Sequence, residues 1–429
     1  MATAQPKDSA KPYSGVFGRF ALWGRNARIL VGTEPLWSIP MNWVFFYRPI
    51  FLSEAIGLTA VQIGLLSTVL NFSSILSPLA GGYLADRFGR KRVLMLFDSI
   101  AWVSSLAVWV VTRNIWYALV AYLLESIVSV INPVWECMLV EDTAPEHRAS
   151  IYGYISAIYN IGALSTPVAG YIVGLYGVDL GSRTLFGIAL ASVIPMFIIR
   201  QLYLRETELG RKIMKERSFA GLDGYYSSLS MIRKNRVISA LVITSIIGSF
   251  YYAAVTYLPL YLTKGSGLGL GEDVASLVPA ASSVSALFIA SFVVSRLRSR
   301  SGYMKVLVSG YGLGCLALLL LSFSPKGSLS MALISAAVLG VYSVTAFSVS
   351  RTFLTNEIES VDSRARAKIL SVTLTLSSLI GLPAPTLAGY LFSLDPKLPF
   401  LAVSGTLILS SVMLLLSVKN EKQKKWRIQ

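Results

Sequence analysis

The sequence predicts an all-α membrane protein whose twelve transmembrane helices form two pseudo-symmetric six-helix bundles. Three observations predict this fold: an apolar composition, twelve long apolar runs, and short patterns shared by the two halves of the chain. Of the 429 residues, 54% are hydrophobic and only 14% are charged, and the mean hydropathy is +0.63. Soluble domains carry about 25% charged residues. A chain this apolar is expected to fold in a lipid bilayer.

Each apolar run is long enough to cross a bilayer as a helix. About 20 apolar residues span roughly 30 Å of hydrocarbon, and a helix satisfies its own backbone hydrogen bonds there. The runs do not alternate with polar residues, which favours helices over barrel strands. The predicted spans are 29–52, 60–85, 92–111, 116–141, 149–174, 184–202, 237–263, 274–295, 304–324, 328–355, 367–393 and 398–418.

A polar stretch rich in Arg, Lys, Glu and Ser separates the sixth span from the seventh and is interpreted as a linker between the bundles. An amphipathic pattern over 13–28 favours a helix lying in the membrane interface. The predicted units are the N-terminal segment 1–28, the bundle 29–202, the linker 203–235, the bundle 237–418 and the tail 419–429.

The positions of Lys and Arg predict the orientation. With the N-terminus in the cytoplasm, 31 of the 38 basic residues fall at cytoplasmic ends and loops, five in external loops and two within spans. Basic residues concentrate on the cytoplasmic side of membrane proteins. We therefore expect a multi-pass protein of the cell membrane with both termini cytoplasmic. The basic residues behind the net charge of +16 are therefore expected to lie along the cytoplasmic membrane surface, and this charge does not indicate a nucleic-acid partner.

Short patterns recur in the two halves at an offset of about 210 to 219 residues, as duplicated transporter halves would show. The paired segments are 47–53 with 257–263, 167–171 with 385–390, and 82–94 with the weaker 296–305. Three pairs in the same order support a duplicated architecture.

Residues 82–94, GYLADRFGRKRVL, lie between the second and third predicted spans. A basic loop between two spans would explain the arginines but not an acid at a fixed place between two glycines. The segment resembles the signature of the major facilitator superfamily, G-x-L-a-D-r-x-G-r-k-x-x-l. The matching residues are Gly82, Leu84, Ala85, Asp86, Arg87, Gly89, Arg90, Lys91 and Leu94. The resemblance implies that superfamily's fold and a transport function, with a drug/proton antiporter-like branch among the candidates.

The resemblance assigns the motif, including Asp86 and Arg87, to a gate at the cytoplasmic end. Asp86 would interact with the N-terminal end of the eleventh helix when the cavity faces outward, a contact worth about 0.3–1 kcal/mol at exposed sites. Asp86→Asn is therefore expected to bias the protein towards inward-facing states. Cysteine accessibility measured on both membrane sides checks this, and unchanged accessibility would contradict it.

The same resemblance implies two further features of the gate. Arg90 would pair with an acid at the cytoplasmic end of the fourth helix, for which Glu141 and Asp142 are the candidates. Gly82 and Gly89 would permit close helix approach and a tight turn.

Six charged residues fall within predicted spans: Glu34, Arg48, Asp98, Glu125, Glu136 and Arg351. Each unpaired, lipid-facing charge costs about 2.5–3.5 kcal/mol on insertion scales, so six would cost roughly 15–20 kcal/mol. These residues must therefore face a cavity, pair with one another or lie near the interface. We expect Asp98 and Arg351 to be structural.

Polar stripes on the first and fourth spans supply the candidate cavity residues. Glu125, Asn132 and Glu136 fall within about 40° of one another on a helix. Glu34 and Arg48 lie on a similar stripe of the first span. In the superfamily the first, fourth, seventh and tenth helices line the cavity, so both stripes are candidates for substrate binding or proton coupling.

The candidates differ in depth and in their alternatives. Glu125 lies about nine residues from the outer end of its span, near the midplane, and is the leading coupling or substrate residue. Its alternative is an ion pair with Arg48 that only fixes packing, whereas Arg48 could itself bind an anionic group or reach the interface. Glu34 and Glu136 have cytoplasmic gate pairing as their alternative.

An aromatic stripe on the seventh span is a further candidate for the cavity. Phe250, Tyr257 and Tyr261 lie at helical spacing and form either a ligand cage or ordinary packing.

The sequence predicts a secondary active transporter for a small solute. His147 is the only histidine and lies in a loop, so proton coupling would use carboxylates. We find no metal-ligand set, ATP-binding loop or catalytic set, and expect no enzyme activity, no cofactor beyond a proton gradient, and a monomer in the bilayer. Export of cationic or amphipathic compounds is the leading hypothesis for its function. The alternatives are a symporter or uniporter for a sugar or organic anion, and a non-transporting sensor with the same fold.

Overall fold

A computed structural model describes residue 20 and residues 22–216, 232–361 and 366–426. In this part of the chain the backbone is helical apart from short turns and loops, and no strand is present. In chain order the long helices are α1 Arg25–Glu54, α2 Ala60–Phe88, α3 Arg90–Val111, α4 Ile115–Val140, α5 145–176, α6 178–203, α7 236–263, α8 Glu272–Phe292, α9 Arg300–Ser322, α10 329–361, α11 366–394 and α12 Leu398–Trp426.

Nine helical segments of the described residues are long and apolar enough to cross a membrane, by length and composition. One of them, Ser150–Tyr203, has 54 residues and contains most of α5 and all of α6. Gly177 separates these two helices with a φ of 74°, a left-handed conformation that favours glycine. The predicted all-α membrane fold is confirmed.

Local sequence signals start several of the helices. Thr59 and Gln62 form a capping box at the start of α2. Asn114, Asn235 and Ser299 accept hydrogen bonds from the first free backbone amides of α4, α7 and α9. These caps satisfy donors that a helix cannot satisfy itself, so they help to fix where each span begins.

Several polar segments differ from the sequence prediction or lie outside the described residues. The last helix continues to Trp426, beyond the predicted end at 418, because its final turns are polar but still helical. The linker contains a short helix at Glu208–Glu216, whereas its residues 217–231 are outside the described part. Residues 13–19 and 21 of the predicted interfacial helix at 13–28 are outside it as well, whereas its last four residues begin α1.

The first six and the last six helices are hydrogen-bonded to each other near one end of the bundle. We call the end that carries residues 85–91 the signature end, and the end that carries residues 53–60 the opposite end. At the opposite end, the Tyr47 hydroxyl donates to the Glu272 carbonyl at 2.7 Å. Further along α2 and α11, the Thr68 and Thr386 hydroxyls lie 2.8 Å apart.

Glycines bring α2 and α11 into backbone contact beside these hydrogen bonds. A Cβ added at Gly64 would lie 2.5 Å from the Pro385 carbonyl oxygen, and one at Gly389 would lie 2.4 Å from the Ala60 carbonyl oxygen. The Tyr257 hydroxyl of α7 lies 2.9 Å from the Ala60 oxygen and 3.1 Å from the Pro385 oxygen. The backbone contacts at Gly64 and Gly389 and the hydrogen bonds of Tyr257 together close the opposite end.

Candidate functional site

Arg48 and Glu125 form a buried ion pair between α1 and α4. The Arg48 Nη1 lies 2.6 Å from the Glu125 Oε2. The guanidinium carbon lies 5.2 Å, 5.5 Å and 4.8 Å from the ring centres of Phe45, Trp109 and Tyr122. Aromatic faces attract a guanidinium within about 6 Å. The two charges therefore compensate each other, and the three rings form an aromatic box around the guanidinium. This arrangement is the one expected if the ion pair only fixes packing.

A second buried cluster joins α1, α3 and α6 through Arg200. Its Nη2 lies 2.8 Å from the Glu34 Oε2, and its Nη1 lies 3.5 Å from the Asp98 Oδ2. Its Nε donates to the Thr33 hydroxyl at 3.0 Å. The Tyr159 hydroxyl of α5 donates to the other oxygen of Glu34 at 3.1 Å. We call Glu34, Asp98 and Arg200 the buried triad.

Sequence reasoning missed Arg200 as a counter-ion. It lies at the end of the predicted sixth span and was grouped with the basic residues of the cytoplasmic surface. In the structure Glu34 lies nine residues and Asp98 eight residues inside their helices, roughly 12–14 Å, and both need a cation there. An arginine side chain is long enough to reach inward from a helix end.

Glu136 and Asn132 lie on α4 where polar groups remain accessible. Asn132 is exposed, and Glu136 is half-buried and accepts a hydrogen bond from the Tyr152 hydroxyl of α5. Tyr152 is 42% exposed and lies close enough to Arg351 of α10 to interact with it electrostatically. Arg351 belongs to the last six helices, so these side chains lie where the two sets of helices face each other. We call the accessible side chains Asn132, Glu136, Tyr152 and Arg351 the Glu136 cleft.

The aromatic stripe of α7 does not line a cavity in this conformation. Tyr257 is fully buried, with its hydroxyl on the carbonyls that close the opposite end. Tyr261 is also buried and donates to the Leu321 carbonyl at 3.1 Å. Phe250 is partly buried against the core. In this conformation the two tyrosines therefore pack in the core, because helical spacing alone does not distinguish a core face from a cavity face.

The signature motif anchors α3 to α4 and to the start of the linker. The Arg90 guanidinium pairs with Glu141 and donates to the Thr207 hydroxyl at 3.0 Å. The backbone amides of Arg90 and Lys91 donate to the Glu206 carboxylate at 3.0 Å and 2.9 Å. A carboxylate is stabilised at a helix N-terminus by these free amides and by the helix dipole. The sequence did not indicate this role for Glu206.

The two motif glycines play different parts. Gly89 has a φ of 93°, and a Cβ there would lie 2.7 Å from the Glu206 Oε2, so both the turn and the cap need glycine. The expected close helix approach at Gly82 is wrong for this conformation, because a Cβ there meets nothing within 4 Å. The preceding Gly81 makes that approach instead, with a Cβ position 1.9 Å from the Val130 carbonyl oxygen.

The other gate candidates take different partners. Asp142 does not pair with Arg90 and instead accepts a hydrogen bond from the Asn26 side chain at 3.1 Å. Arg87 donates to the Tyr83 hydroxyl at 2.8 Å. Asp86 is half-buried. The residues just before α11, where its predicted contact lies, are outside the described part of the chain.

The last six helices carry a counterpart of the motif's ion pair. Arg300, at the start of α9, binds both oxygens of Glu357 on α10, at 2.6 Å and 2.7 Å. Arg90, at the start of α3, likewise pairs with Glu141, just past the end of α4. Arg300 belongs to the weak sequence echo 296–305, whereas Glu357 was not a candidate. The last six helices therefore keep the ion pair of the motif, although the sequence pattern around it is weak.

The described residues contain no group of three or more His, Cys, Asp or Glu side chains that could hold a metal ion. The sequence profile of the Major Facilitator Superfamily matches residues 38–385. The chain belongs to this superfamily. It is therefore a multi-pass membrane protein of a transporter superfamily.

Two curated relatives match this chain in part, and the chain spans less than two thirds of the length of the first. It is 24% identical over 258 residues to a "Na(+), Li(+), K(+)/H(+) antiporter" of Planococcus maritimus, covering 56% of this chain and 58% of that protein. It is 24% identical over 336 residues to "Multidrug resistance protein 2" of Bacillus subtilis (strain 168), covering 78% and 80% respectively.

Solved structures share the transporter's fold. The nucleoside transporter NupG matches with a TM-score of 0.69 at 13% identity, covering 92% of this chain and 100% of that one. At this identity the match establishes the fold. The cargo has to be inferred from the transporter's own residues.

Proposed function

We propose that this transporter exports cationic or amphipathic compounds by proton antiport, through alternating access between its two sets of helices. One observation carries the proposal: the sets are closed together at the opposite end, while acidic and aromatic side chains are accessible in the Glu136 cleft. A carboxylate beside tyrosine rings suits an organic cation, which both groups attract.

The conformation fits one state of such a cycle. If the signature end is cytoplasmic, as the basic residues predict, the structure is inward-facing with its external end closed. In the outward-facing state the contacts of Tyr47, Thr68 and Tyr257 would have to break and the Glu136 cleft would have to close.

Buried carboxylates support proton coupling. The buried triad contains more carboxylate than guanidinium, and a buried acid that gains and loses a proton can couple solute movement to pH. One relative is named as a proton antiporter, and another is named as a multidrug resistance protein.

The alternative of an organic anion held by Arg48 has less support. Arg48 already pairs with Glu125 inside an aromatic box, so an anionic substrate would have to displace a buried carboxylate. Removing one partner of such a pair leaves the other charge uncompensated, at a cost of about 3–5 kcal/mol.

The experiment that tests the proposal is solute flux in proteoliposomes of the full chain. Ethidium serves as the cationic probe, with a sugar and a carboxylate anion as comparison solutes. We expect ethidium to accumulate only in proteoliposomes with an acidic interior, and a protonophore to abolish the accumulation. Protein-free liposomes control for passive uptake of the dye. Uptake that does not respond to the pH gradient would contradict proton coupling, and selective uptake of the sugar or anion would contradict the proposed substrate class.

A further inference from the structure

We propose that the buried triad is the proton-binding site of this transporter and that Asp98 carries the proton. The inference rests on the proton coupling proposed above and names the residues that perform it. It replaces Glu125, the leading coupling candidate from the sequence, by a cluster in which the charges are not balanced.

Charge balance separates the two buried sites. Glu125 and Arg48 carry one charge of each sign and lie 2.6 Å apart. In the buried triad, by contrast, two carboxylates share the single guanidinium of Arg200, so the ionised groups sum to −1. Glu34, Asp98 and Arg200 are only 4%, 5% and 3% exposed. An uncompensated charge at such depth costs several kcal/mol, and one bound proton removes it.

The hydrogen bonds indicate which carboxylate takes the proton. Glu34 accepts from Arg200 at 2.8 Å and from Tyr159 at 3.1 Å, so both of its oxygens bind donors that favour the ionised form. Asp98 has the longer contact with Arg200, at 3.5 Å, and a hydrogen bond from the Trp102 side chain, which carries no charge and compensates the carboxylate less than a guanidinium does. The Asp98 carboxylate therefore accepts the proton from a hydronium ion, leaving a neutral carboxylic acid and water.

Arg200 makes a further hydrogen bond beside Glu34. Its Nε donates to the Thr33 hydroxyl, which in turn donates to the Ile29 carbonyl at 2.8 Å. A single guanidinium can balance one carboxylate fully, and it is nearer to Glu34. The second carboxylate must obtain its compensation from a mobile cation, and the smallest such cation is a proton.

Tyr159 connects the buried triad with the Glu136 cleft. Tyr159 is 39% exposed while its hydroxyl binds Glu34. Glu136 of α4 acts on the same tyrosine electrostatically, as do Glu34 and Arg200. These are the charged groups that face Tyr159 from α1, α4 and α6. A substrate cation entering beside Tyr159 and Glu136 would compete with the proton for the same excess negative charge, which is the requirement for antiport.

Infrared difference spectra of the purified full-length protein, between about pH 5 and about pH 9, test the assignment without any transport. We expect the carbonyl band of a protonated buried carboxyl in the native protein, and loss of that band in Asp98→Asn. Asp179→Asn is the matched control, because the Asp179 side chain is 60% exposed and belongs to a surface ion pair. That variant should retain the buried band.

Asp98→Asn is expected to fold, because it removes the excess charge and leaves the pair of Glu34 and Arg200. In flux measurements its ethidium transport should lose the stimulation by a pH gradient. A band that persists in Asp98→Asn and disappears in Glu34→Gln would overturn the choice of Asp98. A band that persists in both, or disappears only in Glu125→Gln, would overturn the triad.

Two results separate this inference from the proposed function. If native flux ignores the pH gradient, the proposed proton coupling fails, whatever the spectra show. If native flux is driven by the gradient but Asp98→Asn and Glu34→Gln remain driven by it, the proposed function stands and the triad is wrong. Stimulation of native flux by Na⁺ in place of a pH gradient would also overturn the proton as the ligand.

Discussion

Gly64→Val is expected to abolish transport in a protein that still inserts and folds. A Cβ at this position would lie 2.5 Å from the Pro385 oxygen and 2.7 Å from the Tyr257 hydroxyl. The Pro385 backbone can relieve this overlap only if α2 and α11 separate. Overpacking of this kind costs about 1–3 kcal/mol. Every 1.4 kcal/mol is a tenfold change in an equilibrium, so closure at the opposite end should weaken by about 5- to 150-fold.

The measurement is accessibility of a cysteine placed at Thr68, with Cys137 and Cys315 replaced by alanine, alongside ethidium flux. We expect faster labelling at Thr68→Cys and little flux when Gly64 is valine. Gly312→Val is the control, because a Cβ at Gly312 meets nothing within 4 Å. It should leave both readouts near those of the parent protein. Normal flux with slow labelling in Gly64→Val would show that this contact does not limit the cycle.

Features that depend on position along one helix could be predicted from the sequence. Hydropathy places spans because the cost of burying polar residues in lipid is large, and basic residues predict orientation. The signature motif led from Arg90 to an acid at the end of the fourth helix, and the structure places Glu141 there. The resemblance to the superfamily implied that pairing, and the two helix ends lie at the same membrane surface because α3 and α4 cross it in opposite directions.

Features that depend on how helices are rotated against each other could not be predicted. Gly81 and Gly82 are adjacent in sequence but lie about 100° apart around α2, and only the contact with α4 distinguishes them. Tyr257 was a cavity candidate because its spacing is helical, whereas its buried hydroxyl closes the opposite end. The buried triad required three helices to converge, and Arg200 could be assigned only once their packing was known.

The ion pair of Arg48 and Glu125 should behave as a structural unit in a double-mutant cycle. Arg48→Met and Glu125→Leu are each expected to destabilise the protein by about 3–5 kcal/mol, because each leaves one buried charge without its partner. The double variant is expected to recover most of this loss, since two apolar side chains can pack among the aromatic rings that now surround the guanidinium. Thermal unfolding of the four proteins in one detergent measures the cycle.

Transport by the double variant then decides the role of Glu125. If the pair only fixes the packing of α1 against α4, the double variant should retain ethidium flux and its stimulation by a pH gradient, whereas the single variants lose flux with stability. Asp179→Asn is again the surface control, and an exposed pair of this kind contributes about 0–1 kcal/mol. A double variant that unfolds at the native temperature yet no longer responds to the gradient would return proton coupling to Glu125. In that case the excess carboxylate of the buried triad would need another compensating cation.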